Sequence, residues 1–593
     1  MTFEIIIVLL VLLGAVILFI TEKLPVDLVA LSALVVLLLT GVLTAEEGLR
    51  GFSNEATITV AAMFILSSGL FRTGLVSYIG RIVTRLYKWN FWIAVTATML
   101  IVASISAFIN NTPVVAIFLP ILLQVSRETE LSSSKILIPL SFASIFGGIC
   151  TLIGTSTNIV VSSISVQLGS DRISMFEFTE LGVLFLAAGI LYMIFVGIPL
   201  LPSRKASQDL TNSFGLGEYL TEIILTEKSA SINKEIRNSP LVKELGIDIL
   251  EIIRGDRKIF LPSPTTVLLE KDLLRIKCNI EKIKELQERT GILLKPGLKW
   301  KDEDLVSENE ILLEAVIAPN SFLVGKTLKQ IGFRFRFGAT ALAIRHRGRV
   351  MQENISTTKL VAGDTLLIQT NKLNYERIRE SDAFVVISEV EPPTFRRVKI
   401  FFALTIITGV VITATVGIFP IVISAVIGSI LLIFTGCISL EQAYKAIDWK
   451  IVMLLAGSLS LGVALEKTGA AKLIADSMMG IVGEYGPTAI LSALYLLTLV
   501  LTEAMSNNAT AALVTPIAIV TANTLGVAVM PFLVAVAFAA SLAFMTPMGY
   551  QTHLLVYNPG RYKYSDFLKV GTPLNILFWL MATFLIPVFF PFK

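Results

Sequence analysis

Histidine and cysteine are scarce in this chain. His346 and His553 are the only histidines, which excludes a histidine-rich metal centre. Cys150, Cys278 and Cys437 form no CxxC pair and offer no disulfide framework. No glycine-rich phosphate loop occurs, so ATP use is unsupported. Charge is the third shortage. Asp, Glu, Lys and Arg make up 16% of the 593 residues, where a soluble protein carries roughly 25%. No charged side chain occurs from Ile136 to Ser170, and from Pro487 to Gly560 only Glu503 and His553 could carry a charge. What fills the space is apolar: 54% of residues are hydrophobic and mean hydropathy is +0.77. A helix of about 20 apolar residues spans a bilayer, so this is the composition of a membrane protein.

Apolar segments fall near 3–21, 25–43, 57–76, 92–125, 136–167 and 180–201, then near 399–418, 420–437, 450–468, 487–521, 525–558 and 571–591. Between the two sets, from about 203 to 398, the chain is charged and rich in short strand-like runs. The expected fold is an all-α polytopic membrane protein with a soluble α/β insert at its midpoint. Residues 1–202 form the first membrane repeat, 203–298 and 299–398 two insert modules, and 399–593 the second repeat. The first run, Ile5 to Ile20, lacks a basic n-region and a small-residue cleavage site, and reads as a spanning helix. Orientation follows from basic residues. Arg72, Arg81, Arg85 and Lys88 mark a cytoplasmic loop. If 92–125 and 487–521 each enter and leave on one side, Arg204, Lys205, Arg396, Arg397 and Lys399 share that face. Glu46, Glu47, Glu55, Asp171, Glu177 and Glu180 fall opposite. The protein is expected in the inner (plasma) membrane, with its insert cytoplasmic and both termini outside.

Landmarks recur along the chain. Thr73-Gly74 matches Thr468-Gly469 at an offset of 395, and Asn110-Asn111 and Pro120 match Ser506-Asn507 and Pro516 at 396. Thr155 is matched with Thr546 at 391. With the topology above, the two halves run in opposite senses, the plan of many secondary transporters. The insert repeats too. Gly246-Ile247-Asp248 and Lys271-Asp272-Leu273-Leu274 parallel Gly338-Ala339-Thr340 and Gly363-Asp364-Thr365-Leu366, both at an offset of 92.

Segment 92–125 is too long for one crossing and too short for two, and it breaks at Asn110-Asn111-Thr112-Pro113. Segment 487–521 breaks at Ser506-Asn507-Asn508-Ala509-Thr510, and the following segments at Gly154 to Asn158 and at Thr546-Pro547-Met548-Gly549. Both 92–125 and 487–521 therefore read as re-entrant hairpins. Broken backbone at membrane depth is tolerated only where it lines a cavity or protein interior. Helix N-termini there present free N–H groups to an anion, while unwound carbonyls and amide oxygens suit a hard cation. No Lys or Arg lies between Phe91 and Val125 or between Pro487 and Gly560. A dianion would need co-bound cations to supply the missing positive charge. The competing reading is that these Asn, Ser and Thr residues only hold helices together.

Gly51-Phe52-Ser53-Asn54 with Ala62-Met63-Phe64, the Asn110-Asn111-Thr112 tip, Gly147-Gly148 through Asn158, and Thr502 to Asn507 resemble the divalent anion/sodium symporter family of the ion-transporter superfamily. That family's tip signature is Ser-Asn-Thr; here the tips read Asn110-Asn111-Thr112 and Ser506-Asn507-Asn508. The resemblance implies substrate contacts from Asn111, Thr112, Thr155, Asn507, Asn508, Thr546 and Pro547. It implies sodium contacts from Asn110, Asn111, Gly154, Ser506, Asn507 and Thr546. The insert resembles the C-terminal lobe of potassium-conductance regulators (TrkA-C type) present twice, on Leu323-Val324-Gly325-Lys326-Thr327-Leu328 and Ala362-Gly363-Asp364-Thr365-Leu366-Leu367. Such lobes commonly dimerise and bind small regulatory ligands, and family members with this insert are often linked to sulfate uptake.

The expected function is therefore sodium-coupled, elevator-type symport of a small divalent anion, sulfate first and a di- or tricarboxylate second. Na⁺ is the coupling ion, with no organic cofactor, no catalytic residue and no nucleic-acid partner. A homodimer with a ligand at the insert is expected. The rival classes are an ion channel gated by the insert and a membrane receptor. Glu503 could help hold a cation, carry a proton or anchor a helix. His553 reads as structural. Lys326 with Arg345, Arg347 and Arg349 reads as a solvated face, with a regulatory anion site as the alternative.

Overall fold

The structure is a computed structural model that describes residues 2–21, 24–73, 83–129, 131–170, 172–204, 220–245, 247–255, 257–260, 262–277, 292–295, 310–319, 321–346, 349–351, 355–379, 381, 383–386, 397–482 and 485–593. The chain divides into two units, Met1–Lys205 with Val390–Lys593, and Ala206–Glu389.

In the first unit, long uncharged Leu, Ile and Val runs close their own backbone hydrogen bonds as helices, the only open-ended solution in hydrocarbon. Among the described residues, seven helices are long and apolar enough to cross a membrane, and four apolar helices are shorter. The chain is a multi-pass membrane protein. Apolar side chains such as Leu10, Phe195, Phe402 and Phe584 face outward from these helices.

The two halves of this unit deliver elements of equal length in the same order. Phe3–Thr21 and Arg397–Thr415 have 19 residues each. Val26–Leu39 and Ile421–Phe434 have 14 each. A short helix follows in both, opened by a capping box: Thr44 with Glu47 in one half, Ser439 with Gln442 in the other. The Lys467 ammonium and the Thr44 N–H draw the exposed Glu47 carboxyl down to about 2. That tie therefore holds at neutral pH and is lost only as pH falls from the ordinary carboxylate range toward that value.

Eight helices frame the candidate site: α1 (Phe91–Ser106), α2 (Asn111–Thr129), α3 (Leu137–Gly148), α4 (Ser156–Gln167), α5 (Pro487–Ala504), α6 (Asn507–Leu525), α7 (Met530–Ser541) and α8 (Gln551–Tyr557). The pairs α2/α6 and α3/α7 again match, at 19 and 12 residues. The breaks fall earlier than the sequence suggested. The first lies before Asn111, which already begins α2, so Thr112 and Pro113 sit in its first turn. Proline costs nothing there, because first-turn N–H groups have no intrahelical acceptor. The second break is Met505–Ser506, and Asn507 starts α6. Glycine lets the layers close. A Cβ on Gly147 of α3 would run into the Ala103 backbone of α1.

Among its described residues, the second unit carries two five-stranded sheets. The strands are β1 (Leu220–Leu225), β2 (Asp248–Arg254), β3 (Arg257–Phe260), β4 (Leu273–Lys277) and β5 (Ile292–Lys295), then β6 (Glu310–Ile317), β7 (Ala339–His346), β8 (Arg349–Met351), β9 (Thr365–Asn371) and β10 (Phe384–Val386). The orders β3-β2-β4-β1-β5 and β8-β7-β9-β6-β10 are one topology used twice, paired antiparallel throughout. Even the irregularities repeat. A bulge falls at Ile249/Glu251 and again at Ala341/Ala343, and the bridges Glu235–Val267 and Thr327–Lys359 correspond.

The Asp272 and Asp364 carboxylates do the same job in each sheet. Asp272 accepts from the Leu269 N–H (2.7 Å) and pairs with Arg254; Asp364 accepts from the Val361 N–H (2.9 Å) and pairs with His346 (2.8 Å). Both are fully buried. Asp364→Ala removes the acceptor for a turn N–H and for His346. It should lower the stability of the second unit by about 2–3 kcal/mol, read as a melting shift of the purified protein, because buried groups then lose their partner.

One expectation about the insert is corrected. Arg345 is not on a solvated face. The inward alternation of β7 buries it against Glu314, beside a cluster in which Leu250 of one module meets Leu312, Leu342 and Leu367 of the other. Lys326 lies 5.8 Å from the centre of the Phe322 ring. Arg347 lies outside the described residues.

Candidate functional site

The loops that end α1, α3, α5 and α7 share a hydrogen-bond plan. After α3, the Thr151 hydroxyl donates to the Ala107 carbonyl, and the Gly154 N–H donates to Thr151 Oγ1 (3.2 Å). After α7, the Thr546 hydroxyl donates to the Glu503 carbonyl (3.3 Å), and the Gly549 N–H donates to Thr546 Oγ1 (2.9 Å). Thr546 therefore corresponds to Thr151, Gly549 to Gly154, and Tyr550 to Thr155, at one offset of 395. The match of Thr155 with Thr546 at 391 is corrected. Stretch 542–550 is two residues longer than 149–155, so the offset grows from 393 at α3/α7 to 395 at α4/α8.

At the first tip, Asn111 is fully buried and already engaged. Its Oδ1 accepts from Ser106 Oγ (2.6 Å), and its Nδ2 donates to the Tyr550 hydroxyl (2.7 Å). Thr112 donates to Gln551 Oε1 (3.0 Å). Thr155 caps α4 by accepting the Thr157 N–H, and its hydroxyl lies 3.1 Å from that of Tyr550. Asn110 lines a small cavity with Ser156, Ile153 and Ile159.

Gly154 sits at a convergence of oxygens. The position of a Cβ there lies 2.5 Å from the Gly148 carbonyl oxygen and 2.9 Å from those of Ala107 and Ser106. The Asn111 amide oxygen adjoins the same loop, 2.5 Å from a Cβ placed on Gly148. Several oxygens around a space with no side chain suit a hard, unhydrated cation.

The second tip is built alike but left open. Ser506 caps α6 by accepting the Ala509 N–H (3.3 Å). The Asn507 Nδ2 is buried and has no hydrogen-bond partner among the described residues. Asn508 Oδ1 accepts from Ser156 Oγ (3.0 Å) and Thr157 Oγ1 (3.3 Å), which ties α6 to the start of α4. Pro547 is buried in the turn that follows Thr546. Where the first half has Ala107, the second has Glu503. Its carboxylate accepts the Met545 N–H (2.8 Å), the Thr546 N–H (3.0 Å) and Asn575 Nδ2 (2.9 Å). That fixes the loop after α7 to α5, as an anchor would, and puts a carboxyl oxygen 2.8 Å from a Cβ placed on Gly549. His553 is buried between Ser141 (2.8 Å) and the Ala543 carbonyl (2.9 Å), a structural placement.

The structure thus gathers Asn111, Thr112 and Thr155 around Tyr550 and Gln551, and Asn508 around Ser156 and Thr157. Tyr550, Gln551, Ser106, Ser156 and Thr157 were not anticipated as site residues. The signal for Tyr550 was its offset of 395 from Thr155, visible only in the corrected register.

A sequence profile described as a citrate transporter matches residues 16–530. The uncharacterized transporter sll0640 of Synechocystis is 36% identical over 96% of this chain and 95% of its own length. The uncharacterized transporter YfbS of Escherichia coli is 32% identical over 98% of both. Sodium/sulfate cotransporter 1 of Chlamydomonas reinhardtii is 22% identical over 92% of this chain and 85% of its own length.

Proposed function

The chain belongs to the citrate transporter family, of the divalent anion/sodium symporter kind, and is a transporter rather than an enzyme; from that premise we propose that it couples sodium to the uptake of a small divalent anion, sulfate before dicarboxylate. The observation that carries this reading is the oxygen cradle at Gly154 beside tips that hold no basic side chain. An anion bound at amide and hydroxyl donors alone keeps most of its charge, and a dianion is poorly held that way. Sodium at the cradle supplies positive charge next to it, so neither binds well alone. This is the physical origin of coupling.

In this reading Asn110, Asn111 and Gly154 serve one sodium ion, and Ser506, Asn507 and Thr546 serve a second. Glu503 holds the loop on the second side in place through the Met545 and Thr546 N–H groups. The anion lies between the tips, met by Nδ2 of Asn507 and Asn508 and by the α2 and α6 N-termini, with Thr112, Thr155 and Pro547 flanking. The halves are inverted repeats, 92–125 and 487–521 are re-entrant hairpins, and the site is carried across by an elevator movement. Sulfate is preferred over dicarboxylate because distant relatives are named sodium/sulfate cotransporters. Counterflow in proteoliposomes loaded with unlabelled sulfate tests this. Labelled sulfate should accumulate; accumulation of labelled succinate instead would select the second substrate, and movement of neither would contradict the reading.

The insert is read as a cytoplasmic, TrkA-C-like regulatory unit that pairs with its copy in a homodimer and takes a small ligand. Its duplicated, separately cored sheets form a unit of their own. Replacing 206–394 by a short linker should leave substrate binding within about twofold of the parent and change rate control or dimer stability. Loss of binding in a folded deletion protein would place the insert in the site.

A further inference from the structure

A cavity of about 320 Å³ lies between the start of the helix Glu55–Arg72, the helix α4 and the stretch at Arg172 and Ile173. Arg50, Ser53, Ser162, Gln167 and Arg172 give it a polar wall. Two guanidinium groups face one carboxylate, Glu55, which is paired with Arg172. Arg50 has no ion-pair partner among the described residues, and both amide atoms of Gln167 are buried without a protein partner. Such a volume admits a small hydrated oxyanion, since ordinary ligand pockets begin near 300 Å³. Arg50, Glu55 and Arg172 are exposed, so the wall opens at the surface of the protein.

The inner end of this cavity is apolar. Ile153 and Ile159 line it and also line the smaller cavity that holds Asn110 and Ser156. Ser156 in turn donates to Asn508 at the second tip. The order is therefore a cationic chamber, two isoleucines, then the tips.

We propose that this chamber is a docking site for a divalent oxyanion, held by Arg50 and Arg172 before it passes Ile153 and Ile159 to the second tip. The proposal rests on the anion-transport reading and adds a second site to it. Its chemistry differs from that of the tips for a physical reason. Fixed guanidinium groups at a wet surface concentrate dianions by a field that salt screens, whereas at the dry tips they would hold the anion too tightly to release.

Two measurements on the full-length protein test it. In sulfate uptake, Arg50→Gln should raise KM about tenfold with kcat unchanged, and should flatten the rise of KM with ionic strength seen in the parent. Separately, Ser162→Cys places a thiol on the wall, against a parent whose described cysteines, Cys150 and Cys437, are buried. An anionic methanethiosulfonate should label it faster than a cationic one, and Arg50→Gln should cut that ratio about tenfold. The labelling needs no transport. A ratio that Arg50→Gln leaves unchanged overturns the docking site, whether or not the chain carries sulfate; failed counterflow overturns the transport reading instead.

Discussion

Asn507→Ala should abolish net anion uptake while leaving the protein folded. The Asn507 Nδ2 is buried at the start of α6 without a hydrogen-bond partner among the described residues, so its removal costs the apo protein almost nothing. With an anion present, the same atom is a donor to a charged acceptor, a bond of about 1.5–3 kcal/mol, which is about 10- to 150-fold in affinity. Its carbonyl partner is also assigned to sodium, so the two losses compound. The contrast with Asn111 is diagnostic. Asn111→Ala strips partners from Ser106 and Tyr550 and should lower the melting temperature as well as uptake. Thermal unfolding and sulfate uptake of both variants separate the cases. Near-normal uptake by Asn507→Ala would return the tip amides to a role in helix packing.

Gly154→Ala should weaken sodium binding severely, because the added methyl falls among the assigned ligand oxygens. The new carbon falls 2.5 Å from the Gly148 carbonyl oxygen, closer than real Cβ contacts come, and 2.9 Å from those of Ala107 and Ser106. It occupies the space assigned to sodium and pushes the ligand carbonyls apart. The sodium concentration for half-maximal uptake should rise at least about 30-fold, on the order of 2 kcal/mol in cation binding. Gly480→Ala is the control, because nothing lies within 4 Å of its Cβ position. Sodium-induced thermal stabilisation should vanish in Gly154→Ala and persist in the control.

Much of this arrangement was legible from the chain, because matched landmarks recur at nearly constant offsets. Asn110-Asn111 against Ser506-Asn507 located both tips, and Lys271-Asp272 against Gly363-Asp364 located the turns whose aspartates do equivalent work in the two sheets. What was not legible depends on contacts distant in sequence or on loop length. Matching Thr155 to Thr546 followed residue type, and the two extra residues of 542–550 moved the true partner to Thr151. Tyr550 escaped notice because its hydroxyl reaches Asn111, 439 positions away. Glu503 stood out as a lone acid, but its role as an anchor needs Asn575 and the loop at Met545, which no local pattern brings to it. Arg345 looked solvated beside Arg347 and Arg349, yet strand alternation turned it inward onto Glu314.

Coupling is the central claim, and uptake of labelled sulfate into proteoliposomes with and without an inward sodium gradient tests it most directly. No Lys or Arg stands at either tip to neutralise the anion. Replacing sodium by choline at constant pH and ionic strength should therefore reduce uptake to the protein-free level. Full uptake in choline, driven by a pH gradient alone, would contradict sodium coupling.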